Sequence, residues 1–264
     1  MTDVFSFTSG ATPLLISIPH DGRELIPGQA ERMTATGRAL PDTDWHVRKL
    51  YEFATEMGAS VIAANYSRYV VDLNRSADNA VLYEGQTSTG LCPEKTFAGD
   101  DIYAPGESVS KAELAERVER YWLPYHDRIQ SALNEFRAES GYALLWDAHS
   151  IAAEVPLLFD GVLPDLNVGS NDGRSCREEI SAAVMQVAAA APFSSVLNGR
   201  YRGGYITRHY GDPASNVHAL QLELAQHTYM DENNGNFDAD RAHILGGNIR
   251  EMLTAFTESA LNSS

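Results

Sequence analysis

The sequence predicts a single α/β domain with a mixed, mainly parallel sheet and helices on both of its faces. Short apolar runs such as Leu14–Ile18 and Ala143–Trp146 alternate with helical patterns along the whole chain. That alternation is the pattern of strands connected by crossover helices. The chain has 264 residues, 44% of them hydrophobic, which suffices for a core without covalent staples. There is no internal repeat and no low-complexity tract, so residues 1–264 are read as one domain.

The first strand is expected at Leu14–Ile18, followed by a polar loop with Gly22, Pro27 and Gly28. Asp42-Thr43-Asp44 then leads into a helical pattern that presents Val47, Leu50, Phe53, Ala54 and Met57 on one face and closes at Gly58. Ser60–Ala64 is the next strand, and Arg68–Leu73 reads as a third. The stretch Ser76–Gly106 has little periodicity, and a segment this long without structure of its own suggests a functional loop or lid. Ser110 and Glu113 have capping-box spacing and open a long helix. Pro124 should kink or break that helix, and Gly141 should end it. Beyond it come a strand carrying His149, a short strand at Leu157–Phe159 and a turn at Gly169–Gly173. An Ala-rich helix over Arg177–Ala190, a loop through Asn198 and Gly203-Gly204, a strand at His218–Leu224 and a helix around Ala239–Phe256 complete the chain.

The net charge of −16 argues against partners that are themselves polyanions, so neither nucleic acid nor a membrane surface is expected. An anionic substrate would require a local basic pocket. Cys92 and Cys176 have neither disulfide-framework nor zinc-knuckle spacing, which suits a reducing cytoplasm. Met1–Gly10 lacks signal-peptide features, and no apolar run reaches the roughly 18–20 residues of a membrane span. The oligomeric state is not legible.

Two apolar runs end in histidine: Leu14 to Pro19 in His20, and Ala143 to Ala148 in His149. A strand that stops on a metal-capable side chain places it at the rim of the sheet, where open α/β folds collect ligands. Either histidine could simply cap its strand; together they suggest a site assembled by the fold. A catalytic zinc needs a third ligand and an open position for water. Asp42, Asp44 and His46 are candidates, with Asp44 preferred because it lies closer to the inward face of the following helix; either aspartate could instead cap that helix. Asp147 could orient the His149 ring. Glu223 interrupts the apolar run Ala219–Leu224, where a carboxylate is costly unless paired or used, so it is the candidate general base. Arg75, Arg202 and Arg208, the latter two flanking Gly203-Gly204, could form the basic pocket, glycines permitting close approach to backbone N–H groups.

Six short motifs occur in order: Ser17-Ile18-Pro19-His20-Asp21-Gly22, Asp42-Thr43-Asp44-Trp45, Asp72-Leu73-Asn74-Arg75, Asp147-Ala148-His149-Ser150, Gly203-Gly204-Tyr205-Ile206-Thr207-Arg208 and Leu222-Glu223-Leu224. In these the chain resembles the N-formylglutamate amidohydrolase (deformylase) family from end to end. The resemblance implies a zinc-exopeptidase-like (phosphorylase/hydrolase-like) fold related to zinc carboxypeptidases and aminoacylases. It implies zinc-dependent hydrolysis of N-formyl-L-glutamate to L-glutamate and formate, the last step of one histidine-degradation route. It further implies His20 and His149 as zinc ligands, a carboxylate of Asp42–Asp44 as the third, Glu223 as the catalytic glutamate and Asn74-Arg75 as the grip on a substrate carboxylate. Zinc carboxypeptidases place a glutamate ligand three residues after the first histidine. Here Arg23 stands there and Glu24 follows, so Glu24 rivals the aspartates. Other readings are a zinc amidohydrolase or carboxypeptidase-like enzyme for another N-acyl amino acid, another divalent metal, or a metal-free binding protein for acidic amino acids.

Overall fold

Along Leu14–Ile18 the side chains divide between two cores: Leu14, Ile16 and Ile18 enter one, Leu15 the other. The computed structural model, which describes residues 2–80 and 89–262, repeats this division on every central strand. Strands β1 (Phe5–Thr8), β2 (Leu14–Ile18), β3 (Ser60–Ala64), β4 (Ala143–Ile151), β5 (Leu166–Gly169), β6 (Ser195–Leu197) and β7 (Val217–Ala225) form one sheet in the order β1-β3-β2-β4-β7-β5-β6. The central β3, β2, β4 and β7 run parallel. β1 and β5 join them antiparallel, and β6 pairs parallel with β5. The sheet is thus mixed and centrally parallel, in a single-domain α/β fold.

The helices begin with α1 (Gln29–Arg32), α2 (Ala35–Arg38), α3 (Val47–Leu50) and α4 (Lys111–Arg117). A π-helical turn over Val118–Trp122 joins α4 to α5 (Leu123–Ser140). Then come α6 (Glu178–Ala190), α7 (Tyr205–Tyr210) and α8 (Ala239–Asn262). Leu144, Trp146 and Ala148 of β4 pack with residues of α3, α6 and α8, whereas Ala143 and Leu145 pack with Tyr125, Ile129 and Leu133 of α5. Both faces are therefore covered. Trp146, wholly buried, keeps its polar edge satisfied by donating from Nε1 to the Tyr51 hydroxyl at 2.8 Å. Among the described residues no helix is long and apolar enough to cross a membrane.

Several expected elements take a different form. Arg68–Leu73 is a run of turns and not a strand. The edge beside β3 is taken by β1, a strand with no apolar run to announce it, so no ladder is left for that segment. Leu157–Phe159 is also a turn: Leu158 and Phe159 both donate backbone N–H to the Val155 carbonyl. The helix expected after Asp44 is the single turn of α3 followed by a 3₁₀ segment, Glu52–Met57, and Gly58 ends it at φ 74°. Pro124 does not break its helix; it sits in the first turn of α5, just past the π turn. Ser110 caps α4 by accepting from Glu113 N, and Gly141 closes α5 at φ 81°. Three short elements were not expected: β5, which leads into the Gly169–Gly173 turn, and β6 and α7, which flank the loop through Asn198 and Gly203-Gly204. The described parts of Ser76–Gly106 contain no helix or strand; residues 81–88 lie outside the described residues, and with them part of the expected lid.

Candidate functional site

β3 lies on one side of β2 and β4 on the other, so the direction of chain progression reverses between β2 and β4. At such a switch point the loops leaving the carboxyl ends of neighbouring strands diverge and open a crevice. His20 stands two residues beyond the end of β2, and His149 lies near the end of β4. Glu223 of β7 is directly opposite His149 in the ladder. All three are buried.

The Asp44 segment is locked against the His20 loop. Asp44 N donates to the His20 carbonyl at 3.1 Å. The Asp21 carboxylate accepts from the backbone N–H of His46 and of Arg48, each at 3.2 Å. His46 adopts φ 65°, an uncommon conformation for a non-glycine residue, and this turn is what reverses the chain into α3. The His46 ring points away from the crevice, with Nε2 at 2.9 Å from the Gly235 carbonyl.

One donor atom from each of His20, Asp44 and His149 lies within 4.8 Å of the other two. Asp44 Oδ2 is 3.0 Å from His149 Nδ1 and 3.7 Å from His20 Nδ1. The opposite ring nitrogens are held by other carboxylates. His20 Nε2 is 2.8 Å from Asp72 Oδ1, and His149 Nε2 is 3.0 Å from Asp147 Oδ2. Asn74 Nδ2 lies 2.8 Å from His149 Nε2 and donates to Asp147 Oδ2 at 3.2 Å. Of these two neighbours of Nε2, only the carboxylate can accept a ring proton. A proton kept on each Nε2 leaves both Nδ1 lone pairs aimed at the same place as Asp44 Oδ2. Two imidazole nitrogens and one carboxylate oxygen, with the rings oriented from behind, fit a zinc-type divalent ion with a position left for water.

The other carboxylates are placed elsewhere. Asp42 accepts from the Tyr69 hydroxyl at 2.6 Å and from Phe97 N at 3.0 Å, which turns it away from the histidines. Glu24 is exposed, and its backbone bridges to Tyr66.

The charges in the crevice are strongly coupled. Burial disfavours the charged form of Asp44, yet contacts with His149 and His20 hold its carboxyl well below the usual range. Burial likewise opposes ionisation of Asp72, and Arg68 and His20 overcome it. His149 is driven well above the ordinary imidazole value because Asp147 and Asp44 outweigh its desolvation. Glu223 moves the other way: burial, reinforced by Asp44 and Asp147, pushes its carboxyl up to about 8. Its hydrogen-bond donor is Gln221 Nε2, at 3.3 Å. A cation among the donor atoms would draw Glu223 back toward the ionised form.

The cavity beside this group is lined by three basic residues, Arg68, Arg75 and Arg200. Arg68 is engaged with Asp72 at 2.7 Å and lies 3.7 Å from Asp44. Arg75 donates to Thr89 Oγ1 and has Nε 4.0 Å from Asp72. Arg200 is oriented by donation from Nε to the Leu158 carbonyl at 3.0 Å. Asn74 and Gly204 also line the cavity; Arg202, Gly203 and Arg208 do not. Arg202 is half exposed and reaches Asp172 at 3.5 Å, and Arg208 turns back to donate to the Gly203 carbonyl. Of the two glycine N–H groups expected to meet substrate, that of Gly204 donates to Gln221 Oε1 at 2.6 Å. Gly204 is needed for another reason, since a Cβ there would lie 2.2 Å from Asn74 Nδ2.

Sequence reasoning assigned nothing to Arg68, Asp72 or Arg200. Asp72 had a usable signal, being an acidic residue two positions before Asn74 in a buried run. Arg200 had none, because its role depends on how the loop after β6 folds over Leu158.

A profile of the N-formylglutamate amidohydrolase family matches residues 12–230. A protein of Pseudomonas aeruginosa named N-formylglutamate deformylase is 52% identical over 255 residues, covering 96% of each chain. One of the same name from Pseudomonas putida is 50% identical over 233 residues, 88% of this chain and 87% of its own. The crystal structure of N-formylglutamate amidohydrolase from Ralstonia eutropha superposes with a TM-score of 0.81 at 22% identity, covering 98% of both chains. A gene product of Agrobacterium tumefaciens reaches 0.72 at 19% identity over 96% of each. At those identities the solved structures support the fold.

Proposed function

Because the chain belongs to the N-formylglutamate amidohydrolase family, we propose that it hydrolyses N-formyl-L-glutamate to L-glutamate and formate. The observation that carries this reading is the convergence of His20, Asp44 and His149 donor atoms beside Glu223, in a cavity also lined by Arg68, Arg75 and Arg200. His20, Asp44 and His149 would hold a zinc ion. Bound there, the ion supplies a Lewis acid that acidifies water and polarises a carbonyl.

The chain's own groups then divide the work. Asp72 and Asp147 keep the imidazoles turned with Nδ1 inward. Glu223 takes a proton from the attacking water as its oxygen bonds to the formyl carbon, and delivers that proton to the substrate nitrogen as the C–N bond breaks. Arg75, with Asn74 beside it, grips one carboxylate of the glutamate moiety. Arg200 faces the other, a role the sequence had pointed to Arg202 and Arg208 to fill. Phe97, Leu158 and Tyr201 add apolar and aromatic surface to the cavity lining. The reading extends to a zinc-exopeptidase-like relationship, a catalytic unit spanning 1–264 and action in a reducing cytoplasm, where the buried thiols of Cys92 and Cys176 stay unpaired.

The test is formate release by protein purified without chelator, with metal quantified in the same sample. N-formyl-L-glutamate should be turned over far faster than N-acetyl-aspartate, N-formimino-glutamate or small peptides. Absence of formate release from the formyl substrate would contradict the proposal.

A further inference from the structure

The segment from Tyr69 to Arg75 carries Asp72, Asn74 and Arg75 into the site, yet it belongs to no strand. Its buried carbonyls still need donors, because an unpaired buried backbone group is costly. Gln29 and Tyr103 donate to the Tyr69 carbonyl and Cys92 to the Val70 carbonyl, and side chains of the continuous run from α4 through the π turn into α5 supply further donors. Arg117, nearly wholly buried, donates through Nη1 to the Tyr69 carbonyl at 3.1 Å and the Val70 carbonyl at 2.8 Å. Trp122 donates from Nε1 to the Arg75 carbonyl at 2.9 Å. His126 Nε2 is 2.9 Å from the Leu73 carbonyl, and its Nδ1 is 2.9 Å from the Tyr210 hydroxyl. The Trp122 and His126 rings stack with centroids 3.7 Å apart, so the two donors brace each other.

The spacing of these residues explains the π turn. A five-residue step in an α-helix turns about 500°, which leaves the two side chains roughly 140° apart. Arg117 and Trp122 are five apart, and the π turn over Val118–Trp122, whose bonds run from i to i+5, returns Trp122 toward the Arg117 face. The four-residue step from Trp122 to His126 then follows ordinary helical geometry. Asn74 sits between the last two anchors. Its N–H is taken by Asp72 Oδ1 at 2.9 Å, and its side-chain Oδ1 accepts from Ile206 N at 2.8 Å.

We infer that Arg117, Trp122 and His126, brought onto one face by the π turn, are positioning residues that hold the Asp72–Arg75 segment where the site requires it. They touch neither substrate nor the candidate metal ligands. Their effect passes through Asp72 to the His20 ring, through Asn74 to Asp147, and through Arg75 to the substrate carboxylate. The last of these links rests on the hydrolase reading above.

The test is Trp122→Phe, which keeps the ring stack and removes the donor to Arg75, with His126→Phe as a second variant that removes the donor to Leu73. Native-state hydrogen exchange of the 69–75 amides should quicken by about tenfold or more in each variant, with amides of β4 unchanged. Unaltered exchange in 69–75, or an equal rise across the sheet, would overturn the inference. Kinetically, Trp122→Phe should raise KM for N-formyl-L-glutamate by about tenfold with kcat within about twofold. In an Arg75→Gln background the same change should alter KM by less than about twofold, since the pathway it acts through is gone. Full additivity in that double variant would also overturn it. The exchange arm needs no substrate, so failure of wild type to release formate would count against the hydrolase reading alone.

Discussion

At the residue scale, the site depends on orientation more than on the identity of its ligand atoms. An imidazole offers two nitrogens, and only a partner on one fixes which of them faces the crevice. His149 is held through Nε2 by Asp147 at 3.0 Å, and His20 by Asp72 at 2.8 Å. Replacing Asp147 with Asn keeps the shape and removes the acceptor charge. Metal affinity and kcat/KM should each fall by about 10–100-fold, the range found when such outer partners are lost. A metal titration alongside steady-state kinetics checks this; unchanged affinity would mean that the His149 ring is fixed by Asn74 and packing alone. The sequence made His20, His149 and Glu223 legible because each interrupts or ends an apolar run. The arginines were harder to read, since the place of Arg200 in the cavity depends on tertiary contacts such as its bond to the Leu158 carbonyl.

At the scale of elements, α5 contributes a histidine that must stay neutral. Burial, the larger effect, drives His126 down to about 3, against the opposing bond to the Leu73 carbonyl. In the unfolded chain the same group titrates near about 6.5. The unfolded state therefore binds a proton that the native state refuses, and stability falls as pH drops through the window between those values. The loss from this group is at most about 1.4 kcal/mol per pH unit there, and none above about pH 7. Melting temperatures measured from pH 7 to 4.5 should decline less steeply in His126→Gln than in wild type, and equal slopes would contradict that assignment. The elements themselves were legible where period and punctuation agreed: β2, β3 and β4, the Ser110 cap and the Gly141 stop. The Arg68–Leu73 strand was not, because a β-rich buried run looks the same whether its carbonyls meet a neighbouring strand or the donors of Arg117, Trp122 and His126.

For the whole molecule, the ligand atoms come from parts of the chain that only the assembled sheet brings together: the loop after β2, the segment before α3, and β4. Binding of an ion by these three residues would thereby be linked to folding. An ion present at a thousandfold over its dissociation constant stabilises the native state by about 4 kcal/mol. In a chain of this size each kcal/mol corresponds to about 2–4 °C of melting temperature. Chelation should therefore lower the melting temperature by several degrees, and added zinc should restore it. An unchanged transition would show that no ion occupies the wild-type protein. The overall charge of −16 also gains a meaning at this scale, because three of the few basic residues line the crevice.

If Glu223 moves the proton while His20, Asp44 and His149 hold the metal, formate release by Glu223→Gln at measured metal occupancy separates the two roles. The variant should bind about as much metal as wild type and release formate about 10²–10⁴-fold more slowly. Near-wild-type turnover at full metal occupancy would contradict the role given to Glu223.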